Sequence, residues 1–141
     1  MNQTSKKLNG KLVIALGRSY RLIHQRSEVL FNKYHITFGQ FEVLEALYHK
    51  GSLIVKEIIE KVLSNSGNMT VVIKNLEREG LIIREVNKDD QRSYIISLSN
   101  KGRELIKEIF PQHMLLLDES LKDLTKKEKE EVIEILKKLK S

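Results

Sequence analysis

The sequence predicts a mainly α-helical fold carrying one small β-hairpin (α+β class), and three observations carry that prediction. Apolar residues recur at helical spacing through most of the chain. Two β-branched runs, Leu81-Ile82-Ile83-Arg84-Glu85-Val86 and Tyr94-Ile95-Ile96-Ser97-Leu98, are joined by polar Asn87-Lys88-Asp89-Asp90-Gln91-Arg92-Ser93, which reads as a hairpin. Proline occurs once, at Pro111, and no Gly/Ser-rich linker divides the 141 residues. One domain with appended helices is therefore the expected organisation.

The elements follow in order. Leu8, Leu12, Leu16, Tyr20, Ile23, Leu30 and Phe31, with Ser19 and Ser27 between, predict a first helix over about 8–33. Ile36-Thr37-Phe38-Gly39-Gln40-Phe41 is a helix start. Thr37 and Gln40 form a capping box, and Ile36 and Phe41 hold the hydrophobic-staple positions. Phe41, Val43, Leu44 and Leu47 continue that helix to Gly51, a residue suited to a helix end. Val55, Ile58, Ile59, Val62 and Leu63 define a short third helix. Ser64-Asn65-Ser66-Gly67 is a polar break rich in capping residues. A fourth helix turns Met69, Val72, Ile73 and Leu76 inward and stops at Gly80. After the hairpin, Ser99 caps a fifth helix toward Leu117, which Pro111 should kink or split. Thr125-Lys126-Lys127-Glu128 is a second capping box, opening a last helix with Val132, Ile133, Leu136 and Leu139 on one face.

Composition narrows the function classes. There is no cysteine, so disulfides, thiol nucleophiles and thiol redox sensing are excluded. The amino terminus lacks the apolar core of a signal peptide, and no apolar run is long enough to span a bilayer, which points to the cytoplasm and away from membranes. The Lys/Glu tail is too evenly mixed for an electrostatic membrane anchor. The net charge of +6 suits a polyanionic partner. Its placement tempers that argument. Residues 1–33 hold seven basic side chains against one acidic, whereas residues 64–93 hold five of each sign. No phosphate loop, nucleophile elbow or His-Glu-x-x-His motif is present, so an enzyme is not expected, nor a cofactor.

Helix, short helix, polar turn, helix and hairpin, in that order, make a winged helix-turn-helix. The helix around 66–79 leaves Asn65, Asn68, Thr70, Val71, Lys74, Asn75 and Arg78 outward, with Ser66 and Gly67 at its start. A helix of this kind fits a DNA major groove. Its amino end offers unpaired amides to phosphate. In the wing, Lys88 and Arg92 supply positive charge, Arg92 suits a narrow minor groove, and Asp90 is placed to orient its guanidinium. The same pattern also describes an amphipathic surface helix beside an edge ribbon, with Asp90 and Arg92 a surface pair of little consequence.

Residues from Ile36 to Glu104 resemble the MarR family. The matching pieces are Ile36-Thr37-Phe38-Gly39-Gln40-Phe41-Glu42-Val43-Leu44, Ser66-Gly67-Asn68-Met69-Thr70, Asn75-Leu76-Glu77-Arg78-Glu79-Gly80-Leu81-Ile82 and Leu98-Ser99-Asn100-Lys101-Gly102-Arg103. Within the wing, Asp90, Arg92 and Ser93 match the family's Asp-x-Arg-Ser/Ala signature. The resemblance implies one MarR-type domain over 1–141: dimerisation helices at 1–35 and 99–141, and a DNA-binding lobe at 36–98. It implies a homodimer binding double-stranded DNA at a palindromic operator, as a repressor. The recognition-helix sequence is most similar to the hydroperoxide- and quinone-responsive branch, and the missing cysteine departs from the thiol mechanism of the hydroperoxide sensors.

The resemblance also implies a small aromatic or phenolic effector bound between the dimer core and the DNA-binding lobe. Tyr20 and His24, one helical turn apart, and Phe38 and Phe41 are candidates to line its pocket; the plainer expectation is that they are core, with His24 making one buried hydrogen bond. His24 with Glu28, and Glu45 with His49, have metal-ligand spacing but only two ligands each, so no metal site is expected. Two other readings stay open: a winged-helix module that binds protein, and a non-specific architectural DNA binder.

Overall fold

The computed structural model describes residues 2–62 and 66–139. Its elements are α1 (Gln3–Asn32), α2 (Phe38–Lys50), β1 (Leu53–Ile54), α3 (Val55–Lys61), α4 (Ser66–Arg78), β2 (Ile82–Val86), β3 (Tyr94–Leu98), α5 (Asn100–Ser120) and α6 (Lys126–Leu136). The helix starts are set by local chemistry. Thr37 Oγ1 accepts from the Gln40 amide at 3.1 Å while Gln40 Oε1 accepts from the Thr37 amide at 2.9 Å. Ile36 and Phe41, the staple pair, are both buried. Ser99 Oγ accepts from the Gly102 amide, and Thr125 and Glu128 complete the second capping box. The helix stops are equally local. Gly51 and Gly80 take φ of +82° and +76°, a region that favours glycine. Beyond Gly80 the Leu81 amide reaches back to the Leu76 carbonyl at 2.9 Å, closing the end of α4.

Three helix boundaries differ from expectation. The first helix starts at Gln3 rather than near residue 8, because Asn2 Oδ1 caps the Ser5 amide at 2.8 Å. The third helix ends at Lys61, and Val62 is already extended. Of the expected polar break Ser64-Asn65-Ser66-Gly67, Ser64 and Asn65 lie outside the described residues, as does Leu63, and Ser66-Gly67 already belong to α4. The fifth helix is not split at Pro111 but runs on to Ser120.

The sheet is three-stranded and antiparallel, in the order β1-β3-β2. Leu53 pairs with Ile96, Ile82 with Leu98, and Val86 with Tyr94. The third strand, β1, is an addition to the expected hairpin and anchors its base to the segment before α3. One core joins the end of α1, α2, α4, α5 and the sheet, with Phe31, Phe41, Leu44, Ile73, Leu76, Ile96, Ile106 and Ile109 fully buried. Each such side chain contributes about 1.5–3 kcal/mol by leaving water. The amino-terminal two-thirds of α1 takes little part. Leu8 and Leu12 remain 65% and 56% exposed. α6 buries none of its residues, and Val132, Ile133, Ile135 and Leu136 on it stay exposed.

Candidate nucleic-acid interface

α4 sorts its side chains by helical phase. Met69, Ile73 and Leu76 are buried and Val72 partly so, which fixes the helix on the lobe. Asn68, Thr70, Val71, Lys74 and Arg78 are exposed. Asn75, expected outward, is half-buried, because it sits between the buried row and the solvent face. Asn65 lies outside the described residues, and Ser66 and Gly67 form the first turn of α4.

The wing tip is folded by its own polar side chains. The Asn87 amide donates to the Ser93 carbonyl at 3.1 Å, and Asn87 Oδ1 accepts from the Asp89 amide. Asp90 Oδ1 accepts from the Arg92 amide at 3.0 Å and lies 3.4 Å from Arg92 Nε. Such short side-chain-to-backbone bonds are what Asn and Asp supply in turns. The result is an Arg92 side chain that is 94% exposed yet tethered at its base, as the Asp90–Arg92 spacing anticipates. Lys88 is exposed beside it.

One bracing contact has no counterpart in the sequence reading. The Arg84 guanidinium, on β2, lies 5.0 Å from the Tyr94 ring centroid, and its Nε is 3.5 Å from Glu77 Oε2 on α4. Arg84 therefore ties the wing to the exposed helix through one ion pair, while its cation–π contact with Tyr94 braces β2 against β3 within the wing. The signal was hidden because Glu77, Arg84 and Tyr94 become neighbours only after α4 and the hairpin pack together.

The four aromatic pocket candidates divide. Tyr20, His24 and Phe38 form a ring cluster, His24 stacked on Phe38 at 4.3 Å and tilted against Tyr20 at 5.5 Å between ring centroids. Phe41 is instead core, stacked on Phe31 at 4.3 Å. His24 is half-buried and bonded to Glu28 at 2.8 Å, so it is not the buried histidine expected. That role belongs to His113, whose Nε2 is 3.0 Å from Ser27 Oγ and whose ring packs against Phe31 and Phe41. Burial holds the His113 pKa below 6.5. Among the described residues its Nδ1 has no hydrogen-bond partner.

Two clefts flank Phe38. One, about 540 Å³, is lined by α2 side chains including Phe41, Glu45 and His49, and by His113. Burial raises the Glu45 carboxyl pKa above 4.5; His49 opposes the shift and Glu42 adds to it. The other, about 380 Å³, is walled by His24, Glu28 and Asn32 of α1, by the start of α2, and by Asn68, Met69 and Val72 of α4. Tyr20 lines neither. Among the described residues no group of three or more side chains could hold a metal ion, and no helix is long and apolar enough to cross a membrane.

Residues 25–109 match the family model described as transcriptional regulator SarA/Rot. Over 96% of this chain and 92% of the relative, the sequence is 37% identical to the HTH-type transcriptional regulator MhqR of Bacillus subtilis. A MarR-like transcription regulator from Bacillus cereus superposes with a TM-score of 0.82 at 28% identity, covering 94% of this chain and 95% of the other. A MarR variant from Escherichia coli, in complex with operator DNA, superposes with a TM-score of 0.73 at 26% identity, over 89% and 94% of the two chains. A winged helix with a solvent-facing α4, matched in sequence and in shape, is thereby assigned: the chain belongs to the SarA/Rot-type, MarR-like transcriptional regulators, DNA-binding proteins and not enzymes.

Proposed function

We propose that the chain acts in the cytoplasm as a homodimeric repressor of a palindromic operator. The observation that carries this is the exposed row Asn68, Thr70, Lys74 and Arg78 on α4, held outward by the buried Met69, Ile73 and Leu76. In this reading α4 lies in the major groove, with the Ser66-Gly67 turn against phosphate. Lys88 and Arg92 meet the flanking backbone and minor groove, and Asp90 limits the range of Arg92.

The dimer is supported by the apolar surface that the single chain leaves in water: Leu8 and Leu12 on α1, Leu115 on α5, and Ile133 and Leu136 on α6. Long exposed seams on helices call for a partner. Residues 1–35 and 99–141 supply these helices, and 36–98 the DNA-reading lobe. Two lobes related by a twofold axis read half-sites about one helical turn apart.

A small aromatic or phenolic effector fits the smaller cleft, beside the Tyr20–His24–Phe38 ring cluster. One wall of that cleft is α4 itself. A ligand that fills it more favourably at one setting of α4 than another shifts the two helices off the groove repeat.

Selection of duplexes from a random pool, followed by gel-shift titration at several salt concentrations, tests the reading. The expected result is an enriched palindrome with an affinity that falls steeply with salt. Light scattering is expected to report a dimer, and phenols or quinones to release the DNA. Absence of any enriched sequence overturns the reading.

A further inference from the structure

Among the described side chains of α4, Val71 is the only large apolar group left exposed, at 57%. The helix gains nothing from it in the free protein. It buries little surface, and a β-branched residue in an exposed helix interior is a poorer helix former than alanine. The residues one turn to either side, Asn68 and Lys74, are exposed and polar. Val71 thus sits in the middle of a hydrogen-bonding row, within the first two turns of α4.

Resting on the reading of α4 as the DNA-contacting helix, we infer that Val71 selects a thymine by contact with its C5-methyl group. That methyl is the one apolar feature the base pairs present in the major groove. An isopropyl group has neither donor nor acceptor and gains nothing against the edges of guanine, adenine or cytosine. Against a thymine methyl, both partners leave water, and Asn68 and Lys74 are free to engage polar groups on either side. Val71 is then a specificity residue, while Lys74 and Arg78 supply affinity independent of sequence.

The test uses the full chain and the duplex it enriches from a random pool. Each thymine is replaced singly by deoxyuridine, which removes the methyl and leaves the pairing edge unchanged. Wild-type protein is expected to lose about fourfold in affinity at one thymine of the half-site, the loss matching one methyl kept in water. Val71→Ala is expected to bind the thymine duplex more weakly and to ignore the swap at that position. Val71→Thr, close in shape, is expected to show an intermediate response. Circular dichroism melting is expected to be unchanged or slightly raised in Val71→Ala, which separates lost recognition from lost folding. If an enriched duplex binds tightly but every uracil swap affects wild type and Val71→Ala equally, the thymine assignment is overturned and the DNA-reading role of α4 stands. If no duplex is enriched, that role fails and takes the assignment with it.

Discussion

Replacing Gly102 by alanine puts two effects of opposite sign in competition. Gly102 lies in the first turn of α5, where alanine is the better helix former by about 1 kcal/mol. Propensity alone predicts a more stable protein. The packing predicts the reverse. A Cβ built on Gly102 falls 2.0 Å from the Leu81 carbonyl oxygen and 3.0 Å from its carbon. That is roughly 1.4 Å short of an ordinary van der Waals contact. The atoms it meets are backbone and cannot rotate away. Nor can the turn slide freely, because three hydrogen bonds hold it to the start of α5. The Ser99 amide donates to Leu81 O at 3.1 Å, Ser99 Oγ to Gly80 O at 2.6 Å, and Lys101 Nζ to Glu79 O at 3.0 Å. Relieving the clash costs about 1–3 kcal/mol of overpacking strain. Stretching two of those bonds adds about 1 kcal/mol each. After subtracting the propensity gain, Gly102→Ala is expected to lower stability by about 2–4 kcal/mol. Urea denaturation at matched protein concentration measures it, since the apparent stability of the proposed dimer depends on concentration. Operator affinity is expected to fall as well, because the 79–81 turn joins α4 to the wing. A Gly102→Ala protein as stable as wild type, or more so, refutes the close approach of α5 to that turn.

The other perturbations probe separate layers. Arg92→Ala is expected to weaken operator binding about tenfold and to reduce the salt dependence by one phosphate-equivalent, with melting unchanged because the side chain is almost wholly in solvent; equal affinity in a gel-shift titration would remove the wing tip from the interface. Leu12→Glu places a charge in the uncovered seam of α1, and light scattering is expected to shift toward single subunits while helicity is retained. His113 titrates lower in the fold than its ordinary 6.5, so the folded state excludes a proton that the unfolded state accepts. Its contribution to stability is therefore complete above pH 6.5 and declines as pH falls from there through the folded value. Urea midpoints measured from pH 7.5 to 5 are expected to show this decline, and His113→Gln, which can still bond Ser27, to flatten it.

How much of this could be read in the chain depended on the distance over which each feature is decided. The capping boxes at Thr37 and Thr125, the glycine stops at Gly51 and Gly80, and the Asp90–Arg92 tether are each settled within four residues, and each stands where the sequence placed it. The outward row of α4 follows from helical phase and was equally legible, save for Asn75 at its edge. What escaped is decided by residues far apart. β1 is two residues long and exists only because β3 supplies its partners, so nothing within Leu53-Ile54 alone marks a strand. Ser27 and His113 are 86 residues apart, and nothing near either one announces the bond.

Pro111 shows the same rule from the energetic side. In isolation it removes one helical hydrogen bond and clashes with the preceding turn, a cost of about 3 kcal/mol, which is why a kink or a split was expected. Yet Ile106 and Ile109 before it and His113 after it are all buried on one face of α5. Splitting the helix at Pro111 would pull one side or the other out of the core, at about 1.5–3 kcal/mol for each large apolar side chain exposed. Pro111 is itself exposed, as is Lys107, whose carbonyl loses its usual partner. The defect is thus carried on the wet side of the helix while the dry side stays continuous, and continuity wins. By the same reasoning the exposed row of α4 is the most readable part of the protein. It is made by one helix whose inner face is fixed by the core, so what remains outside follows from phase alone.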